Sequence, residues 1–297
     1  MPATLGHIGV QYLATKGLIR GADTKWILLG SIIPDLPWIM QRLADGLTDL
    51  SPFTVRLYAI GQSSLAISLI LCIGLACFSW TFWRTGATLA LGVLLHLLLD
   101  ATQIKWGNGV VLFAPFRWDT FRFDLFWPED PASYVLFALG IVVVLWIVLK
   151  DRATSAGLIL PRGWVGAFCG LSILTYLALP FATMPAIRTA DLHYVGTLQD
   201  VSARAGKSVE IDRNVLHVAT DGPILRGWFG DSISLSGNLP AQDEKISVQG
   251  IFTAPRNLKV TKYHVHDARG LREYASLLGL AFVALWWLRV FLQRKLR

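Results

Sequence analysis

Five stretches of the chain, residues 58–80, 85–103, 132–149, 163–184 and 274–292, are apolar over about the length a helix needs to cross a bilayer. In hydrocarbon the backbone must satisfy its own hydrogen bonds, so such stretches are restricted to helices. Two shorter ones, 4–19 and 26–41, bring the expected set to six or seven transmembrane or interfacial helices. The second of these is interrupted by Pro34, Asp35 and Pro37. Trp26, Trp80, Trp83, Trp127, Trp164 and Trp286 lie near segment ends, where interfacial aromatic belts form.

Charge sets one segment apart. Residues 186–273 hold 11 Lys/Arg and 10 Asp/Glu in 88 positions, whereas the other 209 positions hold 16 and 10. The first density is that of a soluble domain, about 25% charged, and the second is about half of it. A disordered chain and a purely soluble enzyme are both excluded. Within 190–266, short apolar–polar alternations (LHYVGTLQDV, KSVEIDRNVLHVA, DSISLSGNL, KISVQGIF, LKVTKYHVH) are punctuated by Asp221-Gly222-Pro223, Gly237-Asn238 and Pro255. They predict five or more strands in a small, OB-like barrel. The expected architecture is a mainly α membrane protein. It has a helical membrane domain over 1–185, a β domain over 186–270, and a C-terminal transmembrane helix with a basic tail over 271–297.

Basic clusters orient it. Lys16, Arg20 and Lys25, then Arg84, then Lys150, Arg152 and Arg162, then Arg294, Lys295 and Arg297 share one side if seven segments cross from an external N-terminus. The positive-inside rule makes that side cytoplasmic. The C-terminus is then cytoplasmic, and the loops 42–57 and 104–131 and the β domain lie outside the cytoplasmic (inner) membrane. The net charge of +7 sits largely beside apolar runs. It implies membrane lipid as a partner and no nucleic acid. Cys72, Cys77 and Cys169 lie in apolar runs without C-x-x-C spacing, so neither a zinc ribbon nor a disulfide framework is signalled. No basic region precedes an apolar run at the N-terminus, so no cleavable signal peptide is expected.

Chemistry is sought where ionisable groups interrupt apolar runs, because each costs roughly 2.5–3.5 kcal/mol there unless paired or hydrated. His96 and Asp100 stand four apart in LGVLLHLLLDATQ, on one helix face. Asp35 lies at a proline-broken segment, a place tolerated only against protein or a wet cavity. His7 lies near the start of the first segment. In the seven-segment topology all four fall in the outer leaflet. Imidazole and carboxylate are ordinary ligands of Zn²⁺ and other divalent ions. A polar pair tying two helices together, and a helix N-cap at Asp35, are the structural alternatives.

The segments GHIG, SIIPDLP and LLHLLLDATQ, with the loop GNGVVLFAPFRWDTFRF after them, resemble the YdjM-like family of membrane-bound metal-dependent hydrolases over roughly residues 1–150. The resemblance implies a divalent metal, zinc by ligand type, held by His7, Asp35, His96 and Asp100, with Asp35 or Asp100 in a catalytic role. Where that family has a second carboxylate and a histidine after P-D, this chain has Pro37 and Trp38. Where it has T-H-S, this chain has Gln62-Ser63-Ser64. A single remaining metal, substitute ligands and loss of hydrolysis are the alternatives this leaves. Ser63 and Gln103, in the matched segments, are weaker site candidates. A looser similarity to zinc-dependent phospholipase C proteins points to a phosphoester or lipid-type, amphiphilic substrate.

His264 and His266, two apart on a predicted strand, point the same way and could cover or complete the metal shell. Asp119 and Asp124, with Arg117 and Arg122, read as salt-bridged loop charges, the arginines alternatively holding an anionic head group. The expected function is a membrane-bound metal-dependent hydrolase at the outer leaflet. The alternative is a non-catalytic membrane scaffold whose β domain binds a protein or glycan. A transporter ranks last, since no pair of broken segments repeats in two halves.

Overall fold

A computed structural model describes residues 3–47, 49–150, 157–220, 222–267 and 270–295. Arg152, Asp221 and Arg297, used above, lie outside the described residues. The order is α1 (Thr4–Leu18), α2 (Thr24–Gly30), a 3-10 turn (Ile33–Asp35), α3 (Leu36–Leu47), α4 (Pro52–Gln62), α5 (Leu65–Ala76), α6 (Phe82–Ala101), α7 (Pro131–Lys150), α8 (Gly163–Thr189) and α9 (Val195–Gln199). Then come β1 (Ser208–Ala219), β2 (Gly222–Arg226), β3 (Ser232–Ser236), β4 (Glu244–Ala254), β5 (Asn257–Val265) and α10 (Leu271–Lys295).

Four helices, Phe82–Ala101, Pro131–Lys150, Gly163–Thr189 and Leu271–Leu292, are long and apolar enough to cross a membrane. Their outward faces carry exposed Val142, Leu145 and Trp146 on α7, Leu171, Leu174 and Phe181 on α8, and Leu277, Leu278 and Leu285 on α10. Apolar faces of that extent suit lipid rather than water.

The expected span 58–80 is instead a broken pair. α4 and α5 meet at 67°. The Ser63 and Ser64 hydroxyls at the bend turn back to the Ile60 and Gly61 carbonyls, at 3.2 and 2.7 Å. Counting the pair as one span gives five candidate spans among the described residues; α1, α2 and α3 are each too short to cross, so the 4–19 and 26–41 segments of the expected six or seven transmembrane or interfacial helices do not span. The expected loop 42–57 is mostly helix. α3 runs on to Leu47, and α4 starts at Pro52, whose missing N–H costs nothing in a first turn.

The strands close into a barrel in the order β1-β2-β3-β5-β4, with β3 parallel to β5 and the other pairs antiparallel. Alternation drives closure. In β3, Ile233 and Leu235 are buried between exposed Ser232, Ser234 and Ser236. They join Val209, Leu216, Leu225, Ile246, Val248 and Phe252 in one core. The stretch LHYVGTLQDV, expected as a strand, is a helical turn followed by α9. Asp191 fixes it, accepting the Thr197 N–H at 2.8 Å and the Thr197 hydroxyl at 2.5 Å. The expected boundary at 185/186 therefore falls inside α8, and strands begin only at Ser208.

Loop 104–130 ties the barrel to the helices. Gly107 N–H donates to Glu210 at 2.9 Å, Asn108 Nδ2 to Asp212 at 3.0 Å, and Arg122 pairs with Glu210 at 3.0 Å. Phe53 of α4 packs edge-on to Trp228 of the barrel.

Candidate metal centre

α1, α2 and α6 meet where glycines let backbones touch. A Cβ on Gly92 would stand 3.0 Å from Gly30 Cα, and one on Gly140 would stand 2.2 Å from the Leu5 carbonyl oxygen. The first contact brings the end of α2 against α6 one turn before His96. The second presses α1, which carries His7, onto α7.

Pro34 then frees an acceptor. In a continuous helix the Ser31 carbonyl would receive the Asp35 N–H. Here that N–H bonds Ile32 instead, at 3.0 Å, as does Leu36 N–H, and Pro34 has none to give. The Ser31 carbonyl lies 2.8 Å from His96 Nδ1. The His96 Nδ1–H donates to it, which leaves the Nε2 lone pair facing inward. Orientation of a ligating histidine through its other nitrogen is the usual outer-shell arrangement of metal sites.

His96 Nε2 is 3.5 Å from Asp35 Oδ1 and 3.9 Å from Asp100 Oδ2, and His7 Nε2 is 3.4 Å from Asp100 Oδ1. The two imidazoles stack at 3.8 Å. All four residues are buried. His7 Nε2, His96 Nε2, Asp35 Oδ1 and Asp100 Oδ1 have no hydrogen-bond partner. These separations exceed the 2.7–3.2 Å of N–H···O bonds. They match the ~3.4 Å edge of a tetrahedron whose bonds are about 2.1 Å. The donor types and their unpaired atoms suit a divalent ion, provided one ring turns out of the 3.8 Å stack so that both Nε2 lone pairs converge. His7, His96 and Asp100 present ligand atoms within 4.8 Å of one another.

Lys105 lies 3.5 Å from Asp100. Burial pulls its ammonium below the usual lysine range, against the opposing pull of Asp100. Asp100 and Lys105 also border a cavity of about 270 Å³ between helices and barrel, whose other basic residues include Arg42, Arg56, Arg213 and Arg272. Arg56 lies between the Trp38 and Trp228 rings, 4.8 Å from each. Burial alone would raise Asp212, but the Arg213 guanidinium 2.8 Å away holds it well below the carboxylate range. His193 also lines this cavity, its Nε2 3.1 Å from the Gly109 carbonyl. Burial, with Arg56 nearby, lowers its pKa to about 3.

The other expected site residues lie elsewhere. Ser63 sits at the α4–α5 bend. Gln103 Nε2 donates to Ser133 at 3.3 Å, while its Oε1 is unpaired. Arg117–Asp119 and Arg122–Asp124 are ion pairs of the loop, at 3.0 and 3.7 Å. His264 and His266 both reach Glu129, which sequence reasoning did not single out. Lys105 and His193 were also missed. Gln11 was missed too: it is buried one turn beyond His7 with both amide atoms unpaired, and the i, i+4 spacing was a readable signal.

Comparison with family models, with curated proteins and with solved structures returns no match for this chain.

Proposed function

We propose that this chain is a membrane-bound metal-dependent hydrolase acting on an anionic phosphoester or lipid head group at the outer leaflet of a cytoplasmic membrane. The observation that carries the reading is the set of four unpaired buried donor atoms beside a cavity whose walls hold six arginines and lysines against four carboxylates. His7, His96 and Asp100 would hold the ion, zinc by donor type. Bound there, it would polarise the ester and lower the pKa of a water towards 7. Asp35 Oδ1 is the base that takes the water proton. Lys105, Arg42 and Arg56 orient the anionic group. Water oxygen bonds to phosphorus, the ester P–O bond breaks, and the departing alkoxide takes the proton that Asp35 received from the water, which restores the carboxylate.

The orientation has support from connectivity. α7 and α10 start beside the barrel and α8 returns to it, so Lys150, Arg162 and Arg289 belong to the far, basic side. By the positive-inside rule this supports an extracytoplasmic barrel. Its strand order, with β3 parallel to β5, supports an OB-like reading.

A second reading keeps the ion and drops the reaction. If Asp35 also ligates, four protein donors close a tetrahedral shell, as structural zinc sites do. The barrel would then be a binding module for a protein or glycan. The test is release of head group from phospholipid in mixed micelles by detergent-purified protein. Chelator should abolish it, and Asp35→Asn should reduce it at least ~100-fold with metal retained, in the range of general-base loss. Metal retained without turnover on phospholipid or on nitrophenyl phosphoesters would favour the scaffold.

A further inference from the structure

The turn ahead of α7 and the end of β5 form a second cluster of donors. Asp130 accepts the Trp127 N–H at 2.7 Å, which fixes the turn that carries Glu129. His264 stands opposite Ser247 in the β4–β5 ladder, and the His266 N–H donates to the Lys245 carbonyl just past it. Both imidazoles thereby face Glu129. His266 Nδ1 is 2.8 Å from Oε1, and His264 Nε2 is 3.6 Å from Oε2. The Trp127 ring stacks on His264 at 3.7 Å.

Proton bookkeeping leaves this cluster short of a cation. Ser247 Oγ receives the Arg213 N–H at 3.0 Å and lies 2.8 Å from Asp212 Oδ1 and 2.7 Å from His266 Nε2. Asp212 is a carboxylate paired with Arg213, so it can only accept, and the one Ser247 proton goes to it. His266 Nε2–H must then donate to Ser247. A neutral His266 is left with its Nδ1 lone pair against a carboxylate oxygen. An imidazolium would answer that contact alone. It would leave His264 Nε2 and Glu129 Oε2, both buried and without a hydrogen-bond partner, facing each other.

We propose that Glu129, His264 and His266 form a second zinc site that fastens the barrel to the turn at the head of α7. Two imidazoles and one carboxylate are a zinc donor set. Their ligand atoms lie within 4.8 Å of one another. Ser247 and Asp212 hold His266 from behind as outer-shell partners. A cavity of about 40 Å³ beside Glu129 and His266 has room for a water as fourth ligand. The site is independent of the hydrolase reading, because it shares no residue with the first centre.

The test uses full-length protein in detergent, stripped with chelator and titrated with Co²⁺ and then Zn²⁺. In a His96→Ala/Asp100→Ala background, one equivalent of Co²⁺ should bind with visible d–d absorption, be displaced by Zn²⁺, and disappear on adding His264→Gln or Glu129→Gln. Should that background fail to fold, His264→Gln and Glu129→Gln in the otherwise native chain should each remove one equivalent. Metal content unchanged by either variant, or no Co²⁺ held by folded His96→Ala/Asp100→Ala protein, overturns the site. Absence of hydrolysis leaves it standing.

Discussion

The two histidine–carboxylate clusters use the same donor types and are built oppositely. In the first, a carbonyl freed by Pro34 positions one imidazole, and the remaining donors face one another unpaired inside a helical body. In the second, a serine, an aspartate and an arginine wire His266 into the barrel before any ligand arrives. The contrast teaches that precision can come from backbone packing or from a hydrogen-bonded chain. The packed centre is the more suitable for chemistry, since Asp100 opens it onto the cavity lined by Lys105, Arg42 and Arg56.

The comparison breaks most decisively at the ligands. His96→Ala/Asp100→Ala should empty the first centre and lower hydrolysis by more than the ~100-fold that loss of an outer-shell partner costs. Metal analysis should still find the second equivalent. Next in size is Gly92→Leu. The added side chain meets Gly30 and separates α2 from α6, at about 1–3 kcal/mol. Thermal melting should fall and the first centre should loosen, while His264 and His266 keep their ion. An unchanged first centre would show that the Ser31 contact is dispensable.

His193, in the cavity wall, gives a pH signature. Its folded pKa is lowered to about 3, against an ordinary value of 6.5. Below pH 6.5 the unfolded chain binds this proton and the folded chain does not, so stability falls as pH drops from 6.5 towards 3. Between pH 6.5 and 5 the loss is about 2 kcal/mol. His193→Gln should flatten that part of the melting-temperature profile, and an identical profile would remove His193 as its source. The smallest effect expected is at Ser247→Ala, which cuts the chain behind His266. Zn²⁺ at the second site should weaken about 10-fold, with the first centre untouched.

Much of this molecule is legible in its sequence, for physical reasons that differ by region. Asp35, His96 and Asp100 stand out because an ionisable group in an apolar run is costly and so demands a reason. Glu129 does not, because a carboxylate in a polar loop costs nothing and carries no such flag. The barrel shows through its alternation, yet the same alternation misleads at 192–201, where Asp191 clamps Thr197 and imposes a helical turn. Apolar composition also carries no direction. It marks 58–80 as lipid-soluble but is silent on the 67° bend that two serine hydroxyls accommodate.

The shortness of α1 has a consequence for depth. Its 15 residues rise about 22 Å, against a hydrocarbon core of about 30 Å. In the proposed orientation Lys16 and Arg20 mark the cytoplasmic interface, and His7, nine residues before Lys16, lies about 13 Å above it. On α6, however, Asp100 lies sixteen residues beyond Arg84, about 24 Å, so the centre sits in the barrel-side half, just below the outer head groups. Water, ion and substrate would all arrive through the polar cavity beneath the barrel, and the width of that passage would set how fast the ion exchanges.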